Sequence, residues 1–308
     1  MRNAFVRAVT KAAAADDRIM LLTGDVGYKV FDDFAAGFPS RFLNMGVSEA
    51  NMVSTAAGLA LEGMRPFTYS IVPFATVRCL EQIRNDVCNM ELPVVITGVG
   101  AGFAYGENGP THHGVDDVAA LRAMPGMTVV GPADPREAEQ AVSALIDNAR
   151  PAYLRLGRAG EPVLPGTDAP FVLGRPKVLV EGAGVAVLAC GGIASEALQA
   201  ARILESDGVR ALVLSVHTVK PITGLADMLR AREVRSVLTV EEHGPAGGLF
   251  EAVCAHLSVE RDAPRIRGLH APDAFFHVCG SRKALLEMLR LDTPSIVAAV
   301  KEALADQR

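Results

Sequence analysis

The chain has no tryptophan and only four tyrosines in 308 residues, so aromatic surface is scarce and an aromatic at a strand-to-helix junction is informative. It has no block of Lys or Arg, and its net charge is −5. Sequence-independent affinity for a phosphate backbone is therefore not expected, which argues against nucleic acid and acidic membrane surfaces as partners. The five cysteines, Cys79, Cys88, Cys190, Cys254 and Cys279, form no Cys-x-x-Cys pair and no zinc spacing. Their scatter through apolar stretches predicts buried thiols in a reducing compartment. No apolar run approaches the roughly 20 residues of a membrane span. The start of the chain leads into an Ala-rich amphipathic stretch with Lys11, Asp16 and Asp17 rather than an apolar signal core. A cytoplasmic protein is expected.

What is present is ample core: half the residues are hydrophobic and 21% are charged. The length suits two domains of roughly 150 residues. Residues 19–23, 93–99, 127–131 and 152–156 read as buried strands, and 51–63, 74–90 and 135–149 as helices. That alternation predicts a parallel sheet covered on both faces. A segment dense in Pro and Gly, residues 158–177, reads as a linker. Beyond it, strands at 185–190, 211–216 and 237–241 alternate with helices at 194–206, 222–232, 247–257 and 281–289. The expected fold class is α/β, two doubly wound domains, with boundaries at 1–165 and 172–308.

Glu49 stands at the mouth of a stretch built of small and apolar residues, and the next charges downstream are Glu62 and Arg65. Poor hydration raises a carboxyl pKa, which makes Glu a proton donor near neutrality. The alternative is that Glu49 merely complements the helix dipole behind a Ser48 cap, and spacing alone leaves both open. A second dense region joins Gly98, Gly100 and Gly102 to the run from Tyr105 to His113, with Asp116 and Asp117. It follows a predicted buried strand, where open parallel sheets bind ligands, and glycines there allow close backbone approach. A metal held by His112 and His113 is disfavoured, because adjacent loop histidines point apart and no carboxylate lies at helical spacing. Ser48 as a hydrolase nucleophile is disfavoured because Ala50 replaces the elbow's last Gly. A dinucleotide site at Cys190-Gly191-Gly192-Ile193 lacks the Gly-x-Gly-x-x-Gly spacing and an acid after the second strand, which ends in His217.

Taken in order, Gly46-Val47-Ser48-Glu49-Ala50-Asn51-Met52, Phe74 and Glu107-Asn108-Gly109-Pro110-Thr111-His112 resemble the pyrimidine-binding domain of transketolase and deoxyxylulose-phosphate synthase. Leu188-Ala189-Cys190-Gly191-Gly192, Thr218-Val219-Lys220-Pro221 and Val240-Glu241-Glu242-His243 with Gly247-Gly248 resemble the C-terminal domain of that family. The resemblance implies a thiamine-pyrimidine-binding parallel-sheet domain followed by a smaller transketolase C-terminal-like domain. It also implies thiamine diphosphate as cofactor, bound between two chains. Glu49 would hydrogen-bond N1′ of the aminopyrimidine and favour the imino form whose nitrogen removes the thiazolium C2 proton. Phe74 matches the ring that stacks on the pyrimidine, and Ile71 stands where the family has a second aromatic. His112 matches a substrate-contacting histidine, and Arg158 and Arg2 match arginines that bind the sugar phosphate.

Departures from the family pattern are also present. Asn108 replaces an aspartate that recognises a substrate hydroxyl, and Gly100 replaces a phosphate-contacting histidine. The large domain that holds the diphosphate through Mg²⁺ has no counterpart, since Gly24-Asp25-Val26-Gly27 comes too early and lacks the downstream helical Asn. The resemblance therefore implies the C-terminal subunit of a split transketolase, a transferase of two-carbon ketol units from ketose to aldose phosphates. It would work as an α2β2 heteromer with a separate diphosphate-binding subunit that holds Mg²⁺, and be inactive alone. A β subunit of a 2-oxoacid dehydrogenase and a non-catalytic scaffold remain alternatives. Donor, acceptor and pathway stay open, with sulfosugars, branched sugars and a glycolyl carrier among the candidates.

Overall fold

The computed structural model describes residues 1–306, so the last two positions of the expected second domain lie outside it. In chain order the strands are β1 (Ile19–Thr23), β2 (Phe42–Asn44), β3 (Arg65–Ile71), β4 (Val95–Val99), β5 (Thr128–Val130), β6 (Ala152–Leu156), β7 (Lys177–Val180), β8 (Val185–Cys190), β9 (Leu212–Ser215), β10 (Thr218–Lys220), β11 (Ser236–Glu241) and β12 (Arg265–Leu269). One sheet has the order β10-β5-β6-β4-β3-β1-β2 and the other β12-β11-β8-β9-β7. Both are parallel except at one edge, where β10 runs against β5 and β7 against β9. Central strands such as β1, β4, β6 and β8 are buried along their whole length, because helices cover both faces. The two α/β units expected from the alternation are present, and the antiparallel edges are an addition. β10 lies beyond the Pro-rich segment in sequence yet completes the first sheet, pairing Thr218 with Val130. One apolar cluster accordingly runs from Met52, Ile96 and Tyr153 through to Leu188, Leu214 and Val253.

Three expectations need correction. The single helix expected at 74–90 is instead a short helix Val72–Ala75, a 3-10 turn Val77–Cys79, a helical turn Leu80–Gln82 and a π-helical turn Ile83–Cys88. Thr76 Oγ1 donates to Val72 O at 2.7 Å and Cys79 Sγ to Phe74 O at 3.2 Å, so side chains compete for carbonyls of the first turn. The Pro-rich segment is no loose linker: Leu164 N and Thr167 Oγ1 both donate to the buried Asp134 carboxylate at 2.7 Å, and Phe171 stacks on His217 at 3.9 Å. Finally, Cys79, Cys88 and Cys190 are buried as expected, but Cys254 is half-buried and Cys279 is exposed.

The seam between the halves carries a titratable group. Glu137, in the helix Pro135–Asn148, accepts from Ala133 N at 2.8 Å and Ser215 Oγ at 2.9 Å through Oε2. Its Oε1 is buried without a partner among the described residues. Burial pushes the carboxyl up from its ordinary 4.5 to about 7. The folded state therefore holds the proton that the unfolded state has released, and the contribution of Glu137 to stability falls as pH rises through that window. Burial also pushes the neighbouring His217 down to about 3, with the opposite sign: its contribution is lost as pH falls below the ordinary 6.5. We expect the stability of Glu137→Gln relative to the parent to rise by about 3 kcal/mol between pH 4 and pH 8, measured by urea denaturation. His217 is common to both proteins and cancels. A pH-independent difference would show that Glu137 titrates normally.

Candidate active site

The helix Glu49–Leu61 begins beyond the carboxyl ends of the central strands, the edge at which parallel sheets present ligand sites. Glu49 is 2% exposed. Gly24, which follows β1, leaves room for it: a Cβ on Gly24 would lie 2.9 Å from Glu49 Cγ. Glu49 Oε1 accepts from Ser70 Oγ of β3 at 3.0 Å, and Oε2 accepts from Arg78 at 2.7 Å. Burial was anticipated; the guanidinium was not. Neighbouring charges were sought along the helix, whereas the compensating cation comes from the 3-10 turn 29 residues on. The Ser48 cap is also corrected. Ser48 occupies the N-cap position, but its side chain makes no capping hydrogen bond. Among the described residues Ser48 Oγ has no hydrogen-bonded base either, as a serine nucleophile would need.

Arg78 does more than neutralise Glu49. Its guanidinium lies over the Phe74 ring, 4.3 Å from the centroid. The same ring meets His112 edge-on, with centroids 5.3 Å apart and planes at 74°. The broken helix accounts for this grouping, because the irregular turn at Thr76 places Phe74 and Arg78 on successive short turns facing one cleft. Beside them opens a cavity of about 380 Å³, walled by Phe74, Arg78, Thr111 and His113 and closed by Phe275 and Phe276 of the second half. Ile71, at the end of β3, packs into the apolar cluster under the sheet.

His112 Nδ1 lies 3.0 Å from Thr111 Oγ1. His113 turns the other way, buried with its ring edge-on to Phe103 at 5.1 Å, and burial pushes its pKa below the ordinary value. Adjacent histidines thus diverge, and no group of three metal-ligating side chains occurs among the described residues. Asn108 is exposed at the end of the turn Gly106–Asn108, where Gly109 takes φ +75°. Burial raises the Tyr105 pKa and the charge of Arg2 opposes that rise, while Arg158 lies over the ring face at 6.0 Å. Arg158 also donates to Ala104 O at 3.2 Å and lies 3.8 Å from Glu107. Tyr105 explains Gly100. At φ +89°, any Cβ there would lie 2.2 Å from the tyrosine ring, so the ring fills the space a side chain would take. Gly24-Asp25 has a structural part, with Asp25 accepting from Asn44 at 3.0 Å. The Cys190–Ile193 turn is likewise committed to packing, since Gly191 N donates to Gly131 O at 3.1 Å.

Comparison with known families settles the lineage. Residues 1–160 match the transketolase pyrimidine binding domain and residues 174–296 the transketolase C-terminal domain. The chain belongs to the transketolase family. It is 36% identical over 270 residues to one of the subunits of the apulose-4-phosphate transketolase of Phocaeicola vulgatus, covering 87% of this chain and 86% of that one. It is 35% identical over 303 residues to the SqwH subunit of the 6-deoxy-6-sulfo-D-fructose transketolase of Clostridium sp. (strain MSTE9), covering 98% and 94%. A solved structure described as a split gene transketolase, inactive β4 tetramer, superposes with TM-score 0.88 at 36% identity, covering 100% of this chain and 98% of that one. This transketolase family chain thus carries the pyrimidine-binding and C-terminal domains and matches subunits of split transketolases over most of their length, in a family that depends on thiamine diphosphate. Among its described residues no helix is long and apolar enough to cross a membrane. The residues missed from sequence are Ser70 and Arg78, which act across the fold, and the Phe275–Phe276 wall, which reaches the cleft from the other domain; Tyr105 was placed in the Gly-rich run, but its packing against Gly100 was not foreseen.

Proposed function

We propose that this chain supplies the pyrimidine side of a transketolase that moves a two-carbon ketol unit, and that a separate subunit completes it by holding the diphosphate and Mg²⁺ in an α2β2 assembly. One observation carries the reading: Arg78 joins the buried Glu49 carboxylate to the Phe74 ring, and the His112 imidazole meets that same ring edge-on. The residues fit an aminopyrimidine. Glu49 offers a buried acceptor, Phe74 and Ile71 offer a stacking and packing surface, and Gly24 leaves room for the Glu49 side chain in its place. Arg78 covers both Glu49 Oε2 and the Phe74 ring and has to move aside for the pyrimidine. When bound, thiamine diphosphate supplies the nucleophilic carbon that carries the ketol unit. Glu49 holds a proton at the ring nitrogen, His112 faces the reacting carbons, and Asn108, Arg158 and Arg2 bind the rest of the substrate. Tyr105 in place of a Gly100 side chain, and Asn108 in place of an acid, favour an acceptor other than an ordinary pentose phosphate. The relatives named for a branched sugar phosphate and a sulfosugar accord with that.

Co-purification with a diphosphate-binding subunit, followed by calorimetry with thiamine diphosphate and Mg²⁺, tests the reading. Binding is expected for the pair and transfer is expected from ketose phosphates, with no activity from this chain alone. Absence of binding to the pair, or turnover of 2-oxoacids instead, would overturn it. Within the pair, Phe74→Ala is expected to weaken cofactor binding about 2- to 10-fold, the value of one aromatic stacking contact. An unchanged affinity would remove Phe74 from the cofactor's surroundings.

A further inference from the structure

The loop that carries Asn108 and His112 closes on itself where Gly102 and Gly114 exchange two hydrogen bonds of 2.9 Å. Beside the first-domain contacts of Arg155 to Gly114 O and Arg158 to Ala104 O, three of its supports come from the other domain. Phe103 N donates to Glu242 Oε2 at 3.1 Å, Gly244 N donates to Val115 O at 2.7 Å, and Gly280 N donates to Gly106 O at 3.1 Å. Glu242 is buried and its own carboxylate is gripped by Arg282, through Nε at 3.0 Å and the terminal nitrogen at 2.5 Å. The approach is close: at Gly102, φ +59°, a Cβ would lie 2.4 Å from Glu242 Cβ. Glu242 therefore stands at the hinge of the loop, and its hydrogen bonds and ion pair go to Phe103 and Arg282 rather than to Phe74 or Glu49.

We infer that Glu242 is a positioning residue, a carboxylate of the second domain that fixes the loop 103–113 and so sets His112 against Phe74. The inference rests on the proposed use of that loop at the substrate, but its mechanical content does not. Without the carboxylate, Phe103 N loses a charged acceptor while Arg282 is released, so the loop opens as a local unit with the sheets intact. A hydrogen bond to a charged group is worth enough to shift such an opening equilibrium about 10- to 100-fold. The test is amide hydrogen exchange on the full chain, with the Phe74 to His112 ring contact followed by NMR. Glu242→Ala is expected to speed exchange at 103–113 by about 10- to 100-fold and to abolish the ring contact, with β4, β6, β8 and β11 unchanged. Glu242→Asp keeps the charge but retracts it from Phe103, and is expected to do the same even where the alanine variant fails to fold. Glu242→Gln retains an acceptor and is expected to restore the ring contact and slow exchange. Unchanged loop exchange in the aspartate variant, or acceleration spread evenly over both sheets, would overturn the inference. Failure of the assembled pair to bind thiamine diphosphate would instead count against the proposed function and leave these measurements intact.

Discussion

Glu49→Gln is expected to leave the chain folded and to lower ketol transfer by the reconstituted pair about 10²- to 10⁴-fold, the range of a single general acid–base contribution. Glutamine has the shape of glutamate, so Ser70 Oγ keeps its acceptor and the Gly24 contact is undisturbed. Arg78 loses its ion pair, but at 44% exposure its guanidinium is solvated, so the stability change is expected to stay below about 1 kcal/mol. What the amide lacks is the exchangeable carboxyl proton that the proposed function places at the pyrimidine nitrogen. The check is twofold: turnover with a ketose phosphate, and exchange of the C2 proton of added thiamine diphosphate into D₂O followed by NMR. Both are expected to slow together while thermal unfolding of the free chain barely moves. Parent-like exchange and turnover would remove Glu49 from catalysis and return it to the role of a buried first-turn acid.

The parts of this molecule legible in sequence are those governed by local patterning. Apolar runs without alternation identified β1 and β8, and the small-residue stretch after Glu49 identified its helix. Elements held by tertiary pairing escaped. β10 has three residues and exists because β5 offers it an edge, and β7 runs antiparallel because β9 does the same. At the site, Glu49, Phe74 and His112 were visible because their motifs are compact. Arg78 was not, because nothing in a run of residues 74–90 reveals that the helix breaks at Thr76 and turns the guanidinium back onto Glu49 and Phe74. Glu242 was visible only as part of a motif, its partner Phe103 lying 139 residues away.

The largest expected loss of stability follows from Arg155, which sits in β6 beneath the same loop and was read simply as part of a buried strand. Its guanidinium is 4% exposed and pairs with the fully buried Asp117, Nε to Oδ2 at 2.7 Å. It also donates to Gly114 O at 2.6 Å and Glu242 O at 2.9 Å, while Tyr153 OH donates to Asp117 at 2.5 Å. Burial pushes the Asp117 carboxyl up and the charge and hydrogen bonds of Arg155 pull it down, and the pull prevails, leaving it below its ordinary value. Arg155→Met keeps the stem and removes the charge, which strands Asp117 in the interior. Breaking a buried pair in this way costs about 3–5 kcal/mol, whatever the intact pair is worth relative to an apolar substitute. Arg155→Met/Asp117→Asn is expected to recover part of the loss, since the stranded charge is gone while Gly114 O and Glu242 O still lack their donor. The sign with pH separates this from simple packing damage. In Arg155→Met the Asp117 pKa rises above its unfolded value, so the deficit deepens as pH increases and shrinks toward acid, whereas a packing defect is indifferent to pH. Urea denaturation at pH 5 and pH 8 distinguishes them, and equal deficits would show that the carboxylate is not the source. Because Arg155 spans Gly114 and Glu242, the same substitution loosens the closing point of the His112 loop. Fold stability and the placement of His112 thus depend on one buried cation at the seam between the domains.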